Sequence, residues 1–160
     1  MTFLWPALAA VALLLLATAL GLLWRRSQGR LRAATGSRVR VSAAELTDAA
    51  GTSPVFGTDA TLLQFSTEFC SRCPGTRRLL GVLTQKSSDY PDRQAVAHVD
   101  VDLTHRPDLA RQFNILQTPT TLILDSDGVV TMRIGGAPRR EDVVETLRTI
   151  LKGNNVSYNL

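Results

Sequence analysis

Cysteine, histidine, lysine and aromatic side chains are all scarce in this 160-residue chain, and each scarcity removes a class of function. Two cysteines and two histidines, His98 and His105, are too few and too scattered for a four-ligand zinc site with paired spacing, so no metal is expected. Basic residues concentrate in one stretch, where Arg25, Arg26, Arg30, Arg32, Arg38 and Arg40 stand with no acid among them. From Val41 onward 12 basic residues face 14 acidic ones, so that part carries a net charge of −2 while the whole chain carries +4. A nucleic-acid partner needs its basic face on the folded domain, and none is expected here. Internal repeats and low-complexity segments are also missing. With 44% hydrophobic and 20% charged residues the chain has the composition of one compact globular domain.

Charge is absent altogether from Phe3 to Trp24, an apolar run broken only by Pro6, Thr18 and Gly21. As a helix it would rise about 1.5 Å per residue and match a hydrocarbon core of about 30 Å. Trp5 and Trp24 bracket it as interfacial aromatics do, and Arg25-Arg26 follow as a stop. A cleaved signal peptide is the rival, since Ala17-Thr18-Ala19 resembles a small-residue cleavage site. The lack of a basic leader, the length and the arginines that end the run favour a single-pass transmembrane anchor, 3–24, in contact with membrane lipid. Arginine follows the span and none precedes it, so the rest of the chain is expected on the cytoplasmic face of the cell membrane.

Residues 25–37 form a basic linker without hydrophobic period, 38–152 the folded domain, and 153–160 a flexible tail. Arg38 to Val41 alternates like a first strand. Ser42-Ala43-Ala44-Glu45 is a capping box that predicts a helix, and Gly51 is expected to end it. Ala60 to Ser66 (ATLLQFS) predicts a strand buried on both faces. A helix is predicted from about Cys70 to Lys86, with Leu79, Leu80 and Leu83 on one stripe, then a strand at Ala95 to Val101 and a short helix at about Thr104 to Phe113. Thr120 to Leu124 and Val129 to Ile134 read as a hairpin around Ser126-Asp127-Gly128. Pro138 opens a last helix with Val143, Val144, Leu147, Ile150 and Leu151 facing inward, and Gly153 is expected to stop it. This order predicts an α/β domain, a mixed central sheet with helices on both faces.

The two cysteines that do exist are spaced Cys70-Ser71-Arg72-Cys73 at a strand-to-helix junction. Cysteines three apart at a helix start can close a small disulfide ring. The free amides and positive dipole end of the helix favour the thiolate of Cys70, which can then attack a disulfide, and Cys73 is placed to break the mixed disulfide that results. The Arg72 guanidinium is a candidate to favour that thiolate further. Asp100 and Asp102 alternate with valines and read as solvated strand-end carboxylates, His105 and Glu68 as surface residues.

Phe65 to Cys73 (FSTEFCSRC), Gln117-Thr118-Pro119-Thr120, Gly128 and Gly135-Gly136 together resemble the landmarks of the thioredoxin family, and the resemblance covers roughly Arg38 to Lys152. It implies a thioredoxin-like fold and dithiol–disulfide exchange, with Cys70 and Cys73 as catalytic residues and no cofactor beyond that pair. Partners would be a disulfide-containing protein or a low-molecular-weight thiol. It also implies a cis Pro119 against the disulfide, with Thr118, Pro119 and Phe69 as substrate-binding positions. Departures are specific: Phe69 replaces a tryptophan, Arg78 a helix-kinking proline, and Pro74 directly follows the motif. The buried acid of the family falls on Gln64 and its frequent lysine partner on His98. Gln64 takes no proton, which leaves His98, through water, or bulk solvent to deprotonate Cys73. The alternative to an enzyme is a membrane-tethered adaptor whose cysteines only bind or stabilise.

Overall fold

The computed structural model describes residues 4–27, 31–33, 39–48, 50–85 and 95–157. Its elements are α1 (Leu4–Ser27), β1 (Leu31–Ala33), a 3-10 turn (Ala43–Leu46), β2 (Ala60–Ser66), α2 (Cys73–Gln85), β3 (Val96–Asp102), α3 (Pro107–Gln112), β4 (Thr120–Asp125), β5 (Val130–Gly135) and α4 (Arg140–Ser157). The sheet has the order β1-β5-β4-β2-β3, with β2 and β3 parallel and every other pair antiparallel. It is the mixed sheet that the alternating element order implies.

β2 is central, and all seven of its residues are buried because helices cover both faces. Side chains alternate across a strand, so Leu63 and Phe65 enter one core with Val99, Leu109, Phe113, Leu122 and Leu124, while Leu62 enters the other with Leu80, Ile123, Ile134, Val143 and Leu147. Phe65 and Phe113 stack at 5.4 Å between ring centroids. The hairpin turn needs its glycine: Gly128 has φ +74°, and a β-carbon there would stand 2.6 Å from the Val41 carbonyl oxygen. That close approach lets the Val41 amide donate to the Gly128 carbonyl at 2.8 Å, which ties the segment before β2 to the sheet.

Several expectations need correction. The predicted first strand, 38–41, is an isolated bridge between Arg40 and Val129, flanked by the bonds of Val39 and Val41. The capping box forms as predicted, with Ser42 accepting from Ala44 and Glu45 accepting from Ser42, but it opens one 3-10 turn instead of a helix. Asp48 ends that turn by accepting from the amides of Ala50 and Thr52. The basic linker contains β1, because the outer edge of β5 offers free backbone groups and even three residues can pair there. The flexible tail is shorter than expected, since α4 continues through Gly153 to Ser157. A helical glycine costs about 1 kcal/mol against alanine, which weakens a helix without ending it. Residues 28–30, 34–38, Lys86 and 158–160 lie outside the described residues.

No helix among the described residues is long and apolar enough to cross a membrane, so the expected transmembrane span is not shown.

Candidate active site

β2 ends at Ser66, and the chain turns through Thr67, Glu68 and Phe69 before α2 starts at Cys73. The turn is held at both ends: the Cys70 amide donates to the Thr67 carbonyl and the Cys73 amide to the Cys70 carbonyl, each at 3.2 Å. On the flank, the Glu68 amide donates to the Thr104 hydroxyl at 3.0 Å, and that hydroxyl donates to Asp102. These Thr104 hydrogen bonds hold the Asp102 carboxyl below its ordinary range. α2 therefore begins three residues later than the sequence predicts, with Cys70 in the turn and Cys73 as the first helical residue.

Cys70 and Cys73 are joined as a disulfide, with their Cα atoms 5.4 Å apart. The two cysteines differ in surroundings: Cys73 is 2% exposed, whereas Cys70 is only half-buried and follows Phe69, which is 89% exposed. Arg72, between them, is exposed.

The Thr118–Pro119 peptide bond is cis. Pro119 is buried and its carbonyl accepts from the Gly136 amide at 2.8 Å, and the Thr120 hydroxyl donates to the Gln117 carbonyl at 2.7 Å. The Thr67 and Thr118 hydroxyls lie 3.3 Å apart, which joins this loop to the cysteine turn. Loop and disulfide therefore share the end of the sheet at which β2 finishes and β4 starts.

Below the disulfide, Gln64 is fully buried, donating through Nε2 to the Cys73 carbonyl at 3.3 Å while its Oε1 stands 3.3 Å from Nε2 of His98. Burial pushes His98 below its ordinary pKa, against the attraction of Asp100. Asp100 is not the solvated strand-end carboxylate read from the sequence: its side chain is 16% exposed and ion-paired with Arg77 on α2. Asp102 and His105 are exposed, as expected.

The structure thus brings Cys70, Cys73, Phe69, Thr118 and Pro119 to one end of the sheet, with Gln64 beneath the Cys73 carbonyl and His98, mid-strand on β3, joined to Gln64. The sequence reading missed Thr67, Asp100 with Arg77, and Leu116, which is 87% exposed just before the cis loop. An apolar residue unpaired in a loop was the available signal for Leu116. For the Arg77–Asp100 pair there was none, because 23 residues separate them. Among the described residues no group of three or more His, Cys, Asp or Glu could hold a metal ion.

A disulfide at a strand-to-helix turn, one cysteine partly exposed and the other buried, is the arrangement that dithiol–disulfide exchange requires. The thioredoxin family model matches residues 43–149. Curated relatives include a thioredoxin of Mycolicibacterium smegmatis, 31% identical over 56% of this chain and 77% of its own length. A thioredoxin of Chlorobaculum thiosulfatiphilum is 32% identical over 50% of this chain and 69% of its own length. Among solved structures, the short form of spinach chloroplast thioredoxin F reaches a TM-score of 0.47 at 22% identity, covering 59% of this chain and 78% of its own, too low to add to the argument. The chain belongs to the thioredoxin family and is a thiol–disulfide oxidoreductase, whose chemistry needs no cofactor beyond the redox-active cysteine pair.

Proposed function

We propose that the chain exchanges its Cys70–Cys73 dithiol/disulfide with protein disulfides or low-molecular-weight thiols at a membrane surface. One observation carries the assignment of roles: Cys70 is partly exposed and Cys73 is buried. Cys70, preceding α2, is the nucleophile, and its thiolate is favoured by the free amides of the helix start and by the cationic Arg72 nearby. Cys73 resolves the mixed disulfide. Phe69 and the Thr118-Pro119 loop form the platform on which an extended substrate segment lies, and the relatives' own description as thioredoxins suits a protein disulfide as substrate. A Cys73→Ser variant should accumulate mixed disulfides with its partners and a Cys70→Ser variant none. Equal accumulation by both would overturn the assignment.

The membrane part of the reading rests on the apolar segment 3–24 followed by the arginine-rich 25–37. Exposed side chains in α1 such as Leu8, Leu14 and Leu22, at 63%, 68% and 52%, support it. Thr18, the only hydroxyl between Leu8 and Leu23, donates to the Leu14 carbonyl at 2.7 Å, so this stretch presents no unpaired polar side chain to lipid. The span would include the apolar residues on either side of Leu8–Leu23. The excess of arginine after it puts the redox domain, 38–152, on the cytoplasmic face. Retention in the membrane pellet after an alkaline carbonate wash, lost on deleting residues 1–27, is the expected result. Release of the intact chain by the wash would contradict it.

A further inference from the structure

Leu31 of β1 is in register with Ile134 of β5, Ile134 with Thr121 of β4, and Thr121 with Gln64 of β2, so these four residues form one row across the sheet. Gln64 is the residue bonded to the Cys73 carbonyl, and the next row, Phe65, Thr120 and Gly135, is nearer still to the active-site end. β1 runs antiparallel to β5, and Ala33 lies opposite Met132, further from that end. The chain therefore enters the sheet at its active-site end and runs away from it. Three strand spacings of about 4.8 Å separate Leu31 from Gln64, or about 14 Å.

What precedes β1 is α1, which ends at Ser27. Only Gln28, Gly29 and Arg30 stand between Ser27 and Leu31. Four steps of chain, even fully extended, cover at most about 14 Å. Gln64, and with it Cys73, is therefore within about 30 Å of Ser27. β2 is about 20 Å long, so a tether of this reach cannot run back along the sheet and let the domain turn its opposite end toward α1. A chain entering at that opposite end would have set the disulfide about 20 Å further out.

With α1 in the bilayer, as proposed above, the disulfide is thus held on the bilayer side of its domain. We infer that the preferred partner is a disulfide carried by a membrane-embedded protein close to the bilayer surface, and not one on a freely diffusing protein. Phe69 and Leu116, the exposed apolar residues beside the cysteine turn and the cis loop, are at the end of the domain that meets it. In the exchange, the Cys70 thiolate bonds to one partner sulfur and the other leaves as a thiolate. Cys73 then gives its proton to solvent and bonds to Cys70, displacing the first partner sulfur. The partner thiolates take protons from solvent, so the partner ends as a dithiol and this chain as the disulfide.

The inference rests on the membrane reading, and the test separates the two. The reduced full chain is reconstituted in phosphatidylcholine vesicles that also hold a phosphatidylethanolamine with a pyridyl disulfide on its headgroup, standing in for the partner's disulfide. Release of pyridine-2-thione gives the exchange rate, and 2,2′-dipyridyl disulfide added to the same vesicles without that lipid gives the soluble reference. An insert of about ten Gly and Ser residues after Gln28 frees the domain to turn and withdraw, and should lower the ratio of lipid-linked to soluble rate about threefold. The same insert after Gly36, beyond β1, keeps the point of entry on β5 and should keep the native ratio. A ratio unchanged by the insert after Gln28, or lowered equally by both inserts, in chains that float with the vesicles would overturn the proposal and leave the anchor standing. A native chain that fails to float with the vesicles would overturn the anchor and the proposal with it.

Discussion

Replacing Gln64 by leucine removes the polar link under the active site while nearly keeping its volume. The side chain is fully buried, and it satisfies two groups: the Cys73 carbonyl and the Nε2–H of His98, both at 3.3 Å. A buried polar group stripped of its partner costs about 1 to 3 kcal/mol. Both contacts are long and His98 is only half-buried, so the low end applies and the two losses come to about 2 kcal/mol. Leucine returns part of this through apolar burial, about 0.5 to 1 kcal/mol in a cavity already shaped for glutamine. The net destabilisation is about 1 to 1.5 kcal/mol, or roughly 4 to 10 °C in Tm for a domain of this size. Urea unfolding of the oxidised chain should show a lower midpoint at unchanged slope. A Gln64→Leu protein as stable as the native one would refute the reasoning, because the polar link would then make no net contribution.

Three further outcomes follow from other parts of the molecule. Burial lowers the pKa of His98 from 6.5, so the unfolded chain binds the proton more readily than the folded one. Stability should therefore be complete above that pH and fall as the pH drops below about 6.5, and the fall should be absent from His98→Gln; equal urea midpoints for the wild type at pH 7.5 and 5.5 would contradict this. Gly128→Ala puts a β-carbon at φ +74° and 2.6 Å from the Val41 carbonyl, which should cost about 2 to 4 kcal/mol in urea unfolding; a cost under about 0.5 kcal/mol would mean the turn relaxes freely. A reporter fused after Leu160 should be active only in the cytoplasm, and strong external activity would reverse the proposed orientation.

What was legible in the sequence is what local pattern controls. β2 announces itself because a strand covered on both faces must be apolar almost throughout, and Ala60 to Ser66 is. Cys70 and Cys73 stand out because a spacing of three at a strand end has few other uses, and Gly128 because its turn demands positive φ. Elements decided by distant partners were hidden. Asp100 reads as a solvated acid in the string Val-Asp-Val-Asp, and only α2, which brings the exposed Arg77 to it, makes it a partly covered, ion-paired carboxylate. β1 has three residues and no period of its own, and it exists because β5 has a free edge. The capping box is legible in Ser42 and Glu45 but does not reveal how many turns follow it. Gly153 marks a weak point in α4, and the helix runs through it.

The central claim is that the Cys70–Cys73 pair exchanges with protein disulfides, and the reduction of insulin by the full chain with dithiothreitol as donor tests it most directly. The wild type should shorten the lag before the insulin B chain precipitates, and Cys70→Ser should leave that lag at the value for dithiothreitol alone. A wild-type lag no shorter than that of Cys70→Ser would contradict the account.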